Sequence, residues 1–238
     1  MRYAVVVPTY NESKNLPPLV ERLSALSPKP DVLVVDDASP DGTGAVADAL
    51  AARDPSVHVL HRRGPRGYAR SSVDGLLWAL DAGYDLVCSM DADLSHDPAA
   101  LPAIVDEAQH GSDLVIGSRY VPGGALEVEW GPVRKAVSRA GSAYARTMLG
   151  VAVRDCTSGF RCYTPATLRA VDLRTIRSDG YCFLIEVLDR ARRADLGVAE
   201  VPIRYVDRQM GDSKISRRIV FEALARTTGL GLRRLVGK

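Results

Sequence analysis

The sequence predicts an α/β fold in which a mostly parallel central sheet carries helices on both faces. Three observations predict this fold. Short runs of Val, Leu and Ile recur along the chain, and segments with helical periodicity separate them. The apolar runs are continuous rather than alternating, as in strands that are buried on both faces. Polar and acidic residues follow these runs, at the strand ends where parallel sheets bind their ligands.

The first 120 residues alternate strictly between strand and helix signals. Strands are predicted at 2–7, 31–37, 56–62, 84–93 and 113–120. Helices are predicted between them, at about 12–26, 41–54, 70–82 and 98–110. Each strand is rich in β-branched residues, and each helix is bounded by Pro, Gly, Asp or Ser, so the boundaries follow the usual turn chemistry. This rhythm is typical of βαβ units in a parallel sheet.

The rhythm changes after residue 120. The segment 130–150 is predicted to be a helix, and 155–163 a loop that leads into a short strand. A second amphipathic helix is predicted at 179–194 and a strand at 198–208. In the helix at 179–194, four apolar residues have the spacing of a core face: Tyr181, Leu184, Ile185 and Leu188. Trp78 and Trp130 are interpreted as packing residues.

Two regions are expected, a main α/β domain at 1–213 and a basic extension at 214–238. The extension holds seven Lys and Arg residues against Glu222, whereas the whole chain has a net charge of only +2. Its apolar residues form a helical stripe that begins with Ile215, Ile219, Val220 and Leu224. Gly229 and Gly231 are expected to interrupt the helix, which would leave two short amphipathic pieces.

Composition excludes several classes of protein. The small net charge argues against a general nucleic-acid binder. Four cysteines without a C-x-x-C pair disfavour a zinc site and fit a reduced, cytoplasmic protein. No stretch approaches the roughly 18 apolar residues that span a bilayer. The first strand is followed by neither G-x-G-x-x-G nor a P-loop, which disfavours a nicotinamide cofactor or a P-loop nucleotide.

The stretch "VCSMDADLSHDP" ends a buried strand with two carboxylates, Asp91 and Asp93. A carboxylate removed from water needs a metal or a cation as partner. If the strand continues through them, residues i and i+2 point the same way, and both carboxylates can converge on one object. The alternative interpretation is an acidic turn that caps the next helix. His96, followed by Asp97 and Pro98, is interpreted as the start of that helix rather than as a metal ligand.

Seven motifs occur in an order that is typical of one family: "VVVPTYNE", "VVDDASPDGT", "MDADLSHDP", "IGSRYVPGG", "TSGFRCY", "EVPIRYVDR" and "GDSKIS". Over residues 3–217 the chain resembles polyprenyl-phosphate mannosyltransferases, the dolichol-phosphate-mannose-synthase-like branch of the inverting GT-A glycosyltransferases. The resemblance implies a Rossmann-like fold that binds a nucleotide sugar. It also implies a divalent metal ion, Mg²⁺ or Mn²⁺, as cofactor.

The resemblance assigns the donor side residue by residue. It implies that five residues hold the nucleoside: Pro8, Tyr10, Glu12, Val35 and Asp37. Asp91, Ala92 and Asp93 would form the D-x-D that ties the metal to the sugar diphosphate. The cations that would face the donor phosphates are Arg119, Arg208 and Lys214. Asp91, Asp93 and Arg119 are thus the implied catalytic residues.

The acceptor's phosphate would be received by Arg119, Arg134 and Ser138, which match the family's acceptor positions. Two departures from the family pattern stand out. Ser95 replaces a Gln that contacts the metal in some relatives, so a water would complete the coordination. The loop 62–75 differs from the expected "GLG-x-AY" sequence, and this difference bears on the identity of the donor.

The resemblance implies transfer of mannose from GDP-mannose to a polyprenyl monophosphate, with inversion, at the cytoplasmic face of a membrane. The sequence is also compatible with another donor such as UDP-glucose, with a soluble non-lipid acceptor, or with a non-catalytic subunit. An alcohol acceptor would need a carboxylate base, and Asp155 or Glu186 would be the candidates, although a turn or capping role is favoured for both. The oligomeric state and any anchoring membrane protein are left open.

Overall fold

The computed structural model describes residues 1–129, 131–180, 182–207 and 224–232, with the side chains of 132–134 left aside. Its strands are β1 Tyr3–Thr9, β2 Asp31–Asp36, β3 Val57–His61, β4 Leu86–Ser89, β5 Leu114–Ser118, β6 Ala125–Glu127, β7 Arg161–Tyr163, β8 Val198–Pro202 and β9 Arg204–Val206. Its α-helices are α1 Leu16–Ser24, α2 Thr43–Ala51, α3 Tyr68–Asp81, α4 Leu101–Gln109, α5 Pro132–Leu149, α6 Pro165–Ala170 and α7 Cys182–Arg193. Residues 224–232 form a further helix, here called the C-terminal helix. Short 3₁₀ helices lie at Pro98–Ala100 and Leu173–Thr175.

The main sheet has seven strands in the order β3-β2-β1-β4-β7-β5-β8. All its pairings are parallel except those of β7, which runs antiparallel between β4 and β5. A separate two-stranded sheet joins β6 to β9 in parallel. The carboxyl ends of β1, β2, β4 and β5 therefore lie along one edge, and this edge carries the motifs that the sequence singled out.

The two faces of the sheet carry separate hydrophobic layers. Ala4 and Val6 of β1 face a layer that includes α3, α5, α6 and α7, whereas Val5 and Val7 face a layer that includes α1, α2 and α4. Successive residues of a strand point to opposite faces. Since both faces of β1 are apolar and buried, the continuous Val run of the sequence is explained, and helices do cover both faces.

Several boundaries differ from the sequence prediction. The strand predicted at 84–93 ends at Ser89, so Asp91 and Asp93 lie in the turn that follows it rather than on the strand. The strand predicted at 198–208 is two strands, β8 and β9, which belong to different sheets. Neither β6 nor α6 was predicted from the sequence. The strand expected within 155–163 is β7. Its antiparallel position between β4 and β5 could not be predicted from the sequence, because it depends on strand pairing.

The C-terminal helix contradicts the expectation that Gly229 and Gly231 would interrupt it, because both lie within the helix. The helix packs on α5, where the Tyr144 hydroxyl lies 2.6 Å from the Thr228 hydroxyl. Leu230 packs against the core layer that α5 also covers. Such tertiary packing outweighs the weak helix propensity of glycine. The rest of the predicted extension, residues 214–223 and 233–238, lies outside the described residues.

Two smaller packing predictions are confirmed. Leu184, Ile185 and Leu188 of α7 are buried in the core, and Trp78 of α3 packs against the same layer. Tyr181 and Trp130 lie outside the described residues. In the part of the chain that the structure describes, no helix combines the length and the apolar character that crossing a bilayer needs.

Candidate active site

Strained backbone marks the edge of the sheet where β1, β2 and β4 end. Asn11, Ala38 and Leu94 have φ values of 58°, 55° and 61°, in the left-handed region that residues with a Cβ rarely adopt. They lie in the turns that follow β1, β2 and β4 respectively. Strain of this kind persists where the surrounding structure fixes it, and it concentrates at functional sites. Asn adopts this region more readily than most residues, so Asn11 carried a local signal, whereas Ala38 and Leu94 carried none.

The five residues predicted to hold the nucleoside all belong to the turns after β1 and β2, or to the strand residues just before them. Pro8 and Val35 are register partners. The Val35 side chain is buried in the core, so only its main chain can meet a ligand. The backbone N–H of Asp37 donates to the carbonyl of Thr9 at 3.0 Å. The backbone N–H of Glu12 donates at 2.9 Å to the hydroxyl of Thr43, the first residue of α2, which follows the turn after β2. The structure therefore brings the five together.

The segment 62–75, noted in the sequence only as a departure from the family pattern, covers this group; it is a loop up to Gly67 and belongs to α3 from Tyr68 onward. Arg62 contacts the Asp37 carboxylate and donates from Nε to Asp74 at 2.6 Å. The Gly67 N–H donates to Asp37 Oδ2 at 2.7 Å. Arg66 donates to the Tyr10 hydroxyl at 2.6 Å, and its guanidinium lies 5.1 Å from the Tyr10 ring centre. The basic residues of "RRGPRG" were the signal that could have identified the loop.

The two carboxylates of the D-x-D lie in the turn after β4. Asp93 is buried, and its Oδ1 accepts from the backbone N–H and the hydroxyl of Ser95 at 3.1 and 2.5 Å. Asp91 is partly exposed. Both charges act on Tyr205, whose pKa is raised chiefly by burial, partly offset by a hydrogen bond with Ser95 and further raised by the two carboxylates. Because Asp91 and Asp93 lie beyond the end of β4, strand alternation does not explain why their carboxylates are close together. Both carboxylates nevertheless lie near Tyr205 and His96.

Tyr205 is a site residue that the sequence did not single out, although it lies within the motif "EVPIRYVDR". Strand β9 brings it to the D-x-D from more than 100 residues away, and an isolated bridge links it to His96. Its ring lies 5.4 Å from the His96 ring and 5.2 Å from the Arg119 guanidinium. The bridge to His96 and the hydrogen bond from the Val206 N–H to the Ser95 carbonyl, at 3.0 Å, account for this proximity.

His96 is buried, and its ring also packs on Phe160 with the ring centres 5.3 Å apart. The residue that caps the 3₁₀ helix is Asp97, which accepts from the Ala99 N–H at 3.0 Å, so His96 does not start the helix. Burial lowers the pKa of His96 despite the nearby Asp91 and Asp93 charges. The imidazole is therefore held neutral beside the two carboxylates.

The loop "TSGFR" packs next to Asp91, with Gly159 closest to the carboxylate. Arg161 is fully buried, and it donates to the carbonyls of Ser158, Leu184 and Cys156 at 2.8–2.9 Å. Ser89 of β4 donates to the Gly159 carbonyl at 2.7 Å. A Cβ at Gly159 would lie 2.6 Å from the Tyr68 hydroxyl and 3.1 Å from Asp91 Oδ1. Glycine is therefore required where this loop meets the carboxylate.

Arg119 follows β5, and its guanidinium is bound by a buried carboxylate. Nε and Nη2 donate to Asp155 at 2.7 Å each, and Nη2 also donates to the Thr157 hydroxyl at 2.9 Å. Burial acts to raise the pKa of Asp155, because it disfavours the ionised carboxylate. The hydrogen bonds and positive charge of Arg119 outweigh this effect, so the pKa of Asp155 is lowered overall. Nη1 makes none of these bonds. The predicted contact of Arg119 with phosphate stays a prediction.

Neither candidate base is suited to accept a proton from an alcohol. Asp155 is engaged by Arg119 as described. Glu186 accepts from the Ser178 hydroxyl and from Arg190 Nη2, each at 2.5 Å. Burial acts to raise the pKa of Glu186, but these hydrogen bonds lower it overall. A general base at neutral pH needs a raised pKa, so both carboxylates are structural partners of arginines.

On the acceptor side, Ser138 lies on α5 with its hydroxyl 2.7 Å from the Tyr120 hydroxyl. Arg134 belongs to the first turn of α5, but its side chain lies outside the described residues. Arg208 and Lys214, predicted to face the donor phosphates, also lie outside them. Of the residues predicted to receive the acceptor, the structure therefore describes the side chains of Arg119 and Ser138, with Tyr120 bonded to Ser138.

The donor set near β4 fits a hard cation. Among the described residues, no group of three or more His, Cys, Asp or Glu side chains could by itself enclose a metal ion. Mg²⁺ and Mn²⁺ are commonly held by one or two carboxylates, with water and substrate phosphate oxygens as the other ligands. Asp91 and Asp93 supply that number and type of ligand. The neutral, buried His96 is not needed for such a site.

Comparisons with known proteins agree on one family. The model of the family described as "Glycosyl transferase family 2" matches residues 4–174. The chain is 50% identical to an undecaprenyl-phosphate mannosyltransferase from Micrococcus luteus, over 98% of this chain and 95% of the relative. It is 43% identical to a polyprenol monophosphomannose synthase from Mycolicibacterium smegmatis, over 98% and 88% of the two chains.

A solved structure shows the same fold at low sequence identity. It is the glucosyl-3-phosphoglycerate synthase from Mycobacterium tuberculosis in complex with Mn²⁺ and uridine-diphosphate-glucose. The TM-score is 0.68 at 22% identity, with 96% of this chain and 79% of that chain covered. Together with the family match, this likeness confirms the GT-A, Rossmann-like fold that the sequence predicted.

Proposed function

Because the chain is a glycosyltransferase that belongs to glycosyl transferase family 2, we propose that it transfers mannose from GDP-mannose to a polyprenyl monophosphate. The observation that carries this proposal is the 50% identity, over nearly the whole chain, to an undecaprenyl-phosphate mannosyltransferase. The second relative, a polyprenol monophosphomannose synthase, has the same pair of chemical groups in its name.

The state of the acidic residues favours a phosphate acceptor over an alcohol. An alcohol must lose a proton as it attacks, and the two candidate bases, Asp155 and Glu186, are bound to arginines with lowered pKa values. A phosphate monoester is already largely ionised at neutral pH. Its oxygen forms a bond to the anomeric carbon while the bond from that carbon to the diphosphate breaks. Attack opposite the leaving group inverts the anomeric centre, and no proton has to move.

On the donor side, the five residues around the ends of β1 and β2 would hold the nucleoside: Pro8, Tyr10, Glu12, Val35 and Asp37. Asp91 and Asp93 would hold Mg²⁺ or Mn²⁺. When bound, the ion offsets the negative charge of the leaving diphosphate. Arg119, which Asp155 holds in place, would receive phosphate charge at the junction of donor and acceptor. Arg208 and Lys214 complete the proposed donor site.

The acceptor is a lipid, so the protein would work as a peripheral enzyme on the cytoplasmic face of a membrane. Residues 1–213 would form the catalytic domain and 214–238 the basic, membrane-facing extension. The exposed side chains of Leu224 and Leu232 on the C-terminal helix are consistent with this role. The basic residues of the extension would add about 1 kcal/mol each near an anionic leaflet.

The test is a transfer assay with labelled GDP-mannose and a polyprenyl phosphate, in Mn²⁺ or Mg²⁺ and in excess EDTA. We expect a lipid-linked product with a β-linked mannose and no product in EDTA. Parallel reactions contain UDP-glucose as donor, or a soluble alcohol as acceptor. A faster reaction with UDP-glucose would replace the proposed donor, and efficient transfer to the alcohol would overturn the lipid acceptor.

A further inference from the structure

Strand β9 joins two parts of the candidate active site, the turn that carries the D-x-D and the carboxyl end of β5. Just before the strand, the Ile203 N–H donates to the Ser118 carbonyl of β5 at 3.0 Å. At the end of the strand, the Val206 N–H donates to the Ser95 carbonyl of the D-x-D turn, also at 3.0 Å. Tyr205 lies between these two attachments, so its backbone is held against both parts of the site.

The ring of Tyr205 contacts Arg119 and the D-x-D turn at the same time. Its centre lies 5.2 Å from the Arg119 guanidinium carbon and 5.4 Å from the centre of the His96 ring. The Tyr120 ring lies 5.2 Å from the same guanidinium, and Asp155 binds it through two hydrogen bonds. A cation over an aromatic face is stabilised, and more strongly where water is excluded. The Tyr205 ring is thus one of the groups that hold Arg119 in place.

The hydroxyl of Tyr205 reaches the carboxylate pair through Ser95. A hydrogen bond joins this hydroxyl to the Ser95 side chain. Ser95 is fully buried, and its hydroxyl and backbone N–H both donate to Asp93 Oδ1, at 2.5 and 3.1 Å. Hydrogen bonds in a buried chain polarise one another, so the three groups act as one unit. The orientation of the Asp93 carboxylate is therefore tied to β9.

The turn that holds Asp93 needs this support. Leu94 is buried, and its φ of 61° lies in the left-handed region that residues with a Cβ rarely adopt. Such a conformation persists only where the surrounding contacts impose it. Ser95 supplies them, because it donates to Asp93 on one side and is bonded to β9 on the other. Loss of the contact with β9 would loosen the hold of the turn on the carboxylate.

We propose that Tyr205 is a positioning residue that holds the metal-binding carboxylate and Arg119 at a fixed spacing. Its hydroxyl acts through Ser95 on Asp93, and its ring acts directly on Arg119. Removal of the outer partners that orient a metal-binding group commonly weakens metal binding. This role rests on the metal site of the proposed function, but it is independent of which sugar and which acceptor the enzyme uses.

The experiment measures the affinity of the full chain for Mn²⁺, from the electron paramagnetic resonance signal of the free ion, with and without GDP. The variants are Ser95→Ala, Tyr205→Phe, which loses only the hydroxyl, and the two changes combined. Tyr84→Phe is the matched control, since the Tyr84 hydroxyl donates to Asp31 at 2.7 Å, at the amino ends of the strands. Thermal melting checks that each variant folds.

Ser95→Ala should weaken Mn²⁺ binding roughly tenfold, as expected when an outer partner of a ligand is lost. Tyr205→Phe should weaken it about fivefold, the factor that one hydrogen bond is worth, and Tyr84→Phe should leave it unchanged. Because Tyr205 acts through Ser95, the combined variant should bind Mn²⁺ about as weakly as Ser95→Ala alone. Unchanged affinity in Tyr205→Phe, or losses that multiply to about 50-fold in the combined variant, would overturn the action of Tyr205 through Ser95.

The transfer assay tests the ring, with Tyr205→Leu as the variant that loses it. At saturating Mn²⁺, Tyr205→Phe should approach the wild-type kcat, because excess metal compensates for weaker binding. Tyr205→Leu should keep a kcat about three- to tenfold lower even there, because Arg119 has lost an aromatic partner. Equal kcat values for the two variants would overturn the role of the ring.

Metal binding and transfer can fail separately. Mn²⁺ affinity that depends on Tyr205, without mannose transfer, would count against the proposed function alone. Mannose transfer with an Mn²⁺ affinity that Tyr205→Phe leaves unchanged would count against the positioning role alone. Failure of wild type to bind Mn²⁺ would overturn the positioning role together with the metal site.

Discussion

Charged groups on the two sides of the candidate site are arranged in opposite ways. At the ends of β1 and β2, the Asp37 carboxylate is met by Arg62 and by the Gly67 N–H of the same chain. Along α5 and just beyond it, Arg139, Arg146 and Arg154 line a cavity with no carboxylate partner among the described residues. The proposed donor side is thus held in shape by internal partners, whereas the arginines beside the proposed acceptor side have no such carboxylate partners among the described residues. Arg119, bound by Asp155, lies at the junction of the two.

The largest expected effect tests the donor side at the D-x-D. Asp93→Asn should lower the rate of transfer about 10²–10⁴-fold, or roughly 3–6 kcal/mol, because it removes a charge that would hold the metal. Asp97→Asn is the matched control, since Asn caps a helix about as well as Asp. Initial rates at saturating Mn²⁺ measure both. Wild-type rates for Asp93→Asn, or full activity of wild type in excess EDTA, would reject the metal site.

The second effect tests the junction. Asp155→Asn should lower the free energy of unfolding by about 3–5 kcal/mol, because it leaves the buried Arg119 cation without its counter-charge. Glu127→Gln removes a carboxylate from the exposed pair with Arg204 and should cost at most about 1 kcal/mol. Urea unfolding at neutral pH compares the two variants with wild type. Similar losses for both would show that Asp155 does not act as the buried counter-ion.

The third prediction tests whether the two sides bind different substrates. Asp37→Ala should raise the KM for GDP-mannose about tenfold or more, and Arg134→Ala should do the same for the lipid phosphate, since each removes a charge-assisted hydrogen bond. Each variant should leave the other substrate's KM nearly unchanged. Asp37→Asn keeps an oxygen that can accept from Arg62 or from the Gly67 N–H, and so controls for loss of folding. If both Ala variants weaken GDP binding equally, this division between donor and acceptor sides is wrong.

A smaller effect tests whether the C-terminal helix packs on α5. A Cβ at Gly231 would lie 2.5 Å from Met148 Cε and 3.1 Å from the Met148 carbonyl oxygen, so Gly231→Ala should destabilise by about 1–3 kcal/mol. No atom lies within 4 Å of a Cβ built at Gly229. Gly229→Ala should therefore stabilise the helix by about 0.5–1 kcal/mol. Opposite shifts in Tm are expected, and equal shifts would contradict the packing.

The smallest effect concerns His96, which burial keeps neutral. The pKa of His96 is lower in the folded protein than in the unfolded chain, where it is about 6.5. At a pH between these two values, the unfolded chain binds a proton that the folded protein does not bind. Stability therefore falls as pH drops below about 6.5. Replacing this imidazole in His96→Phe should reduce the loss of unfolding free energy between pH 7.5 and 5.5. The other three histidines are common to both proteins. An unchanged loss would show that His96 does not contribute to it.

Sequence patterns were sufficient for the donor half because its structure is largely local. Each strand of the βαβ series is a short apolar run, and burial of both faces follows from that run alone. The turns that carry Asp37, Asp91 and Asp93 directly follow these strands, so their place at the carboxyl edge of the sheet was predictable. The exact end of β4 was not, because the change from strand to turn depends on where its pairing with β1 and β7 stops.

The rest of the candidate site depended on contacts between residues that are distant in sequence. Tyr205 reaches the D-x-D turn through its bridge to His96, and Asp155 reaches Arg119 from 36 residues away. The continuous helix through Gly229 and Gly231 depends on packing against α5, which overrides their local preference. A sequence records which segments are apolar or charged, and thereby determined the layers of this protein and the motifs at its sheet edge. Which cation meets which carboxylate, and which cations remain unpaired, was decided only when tertiary packing brought the distant segments together.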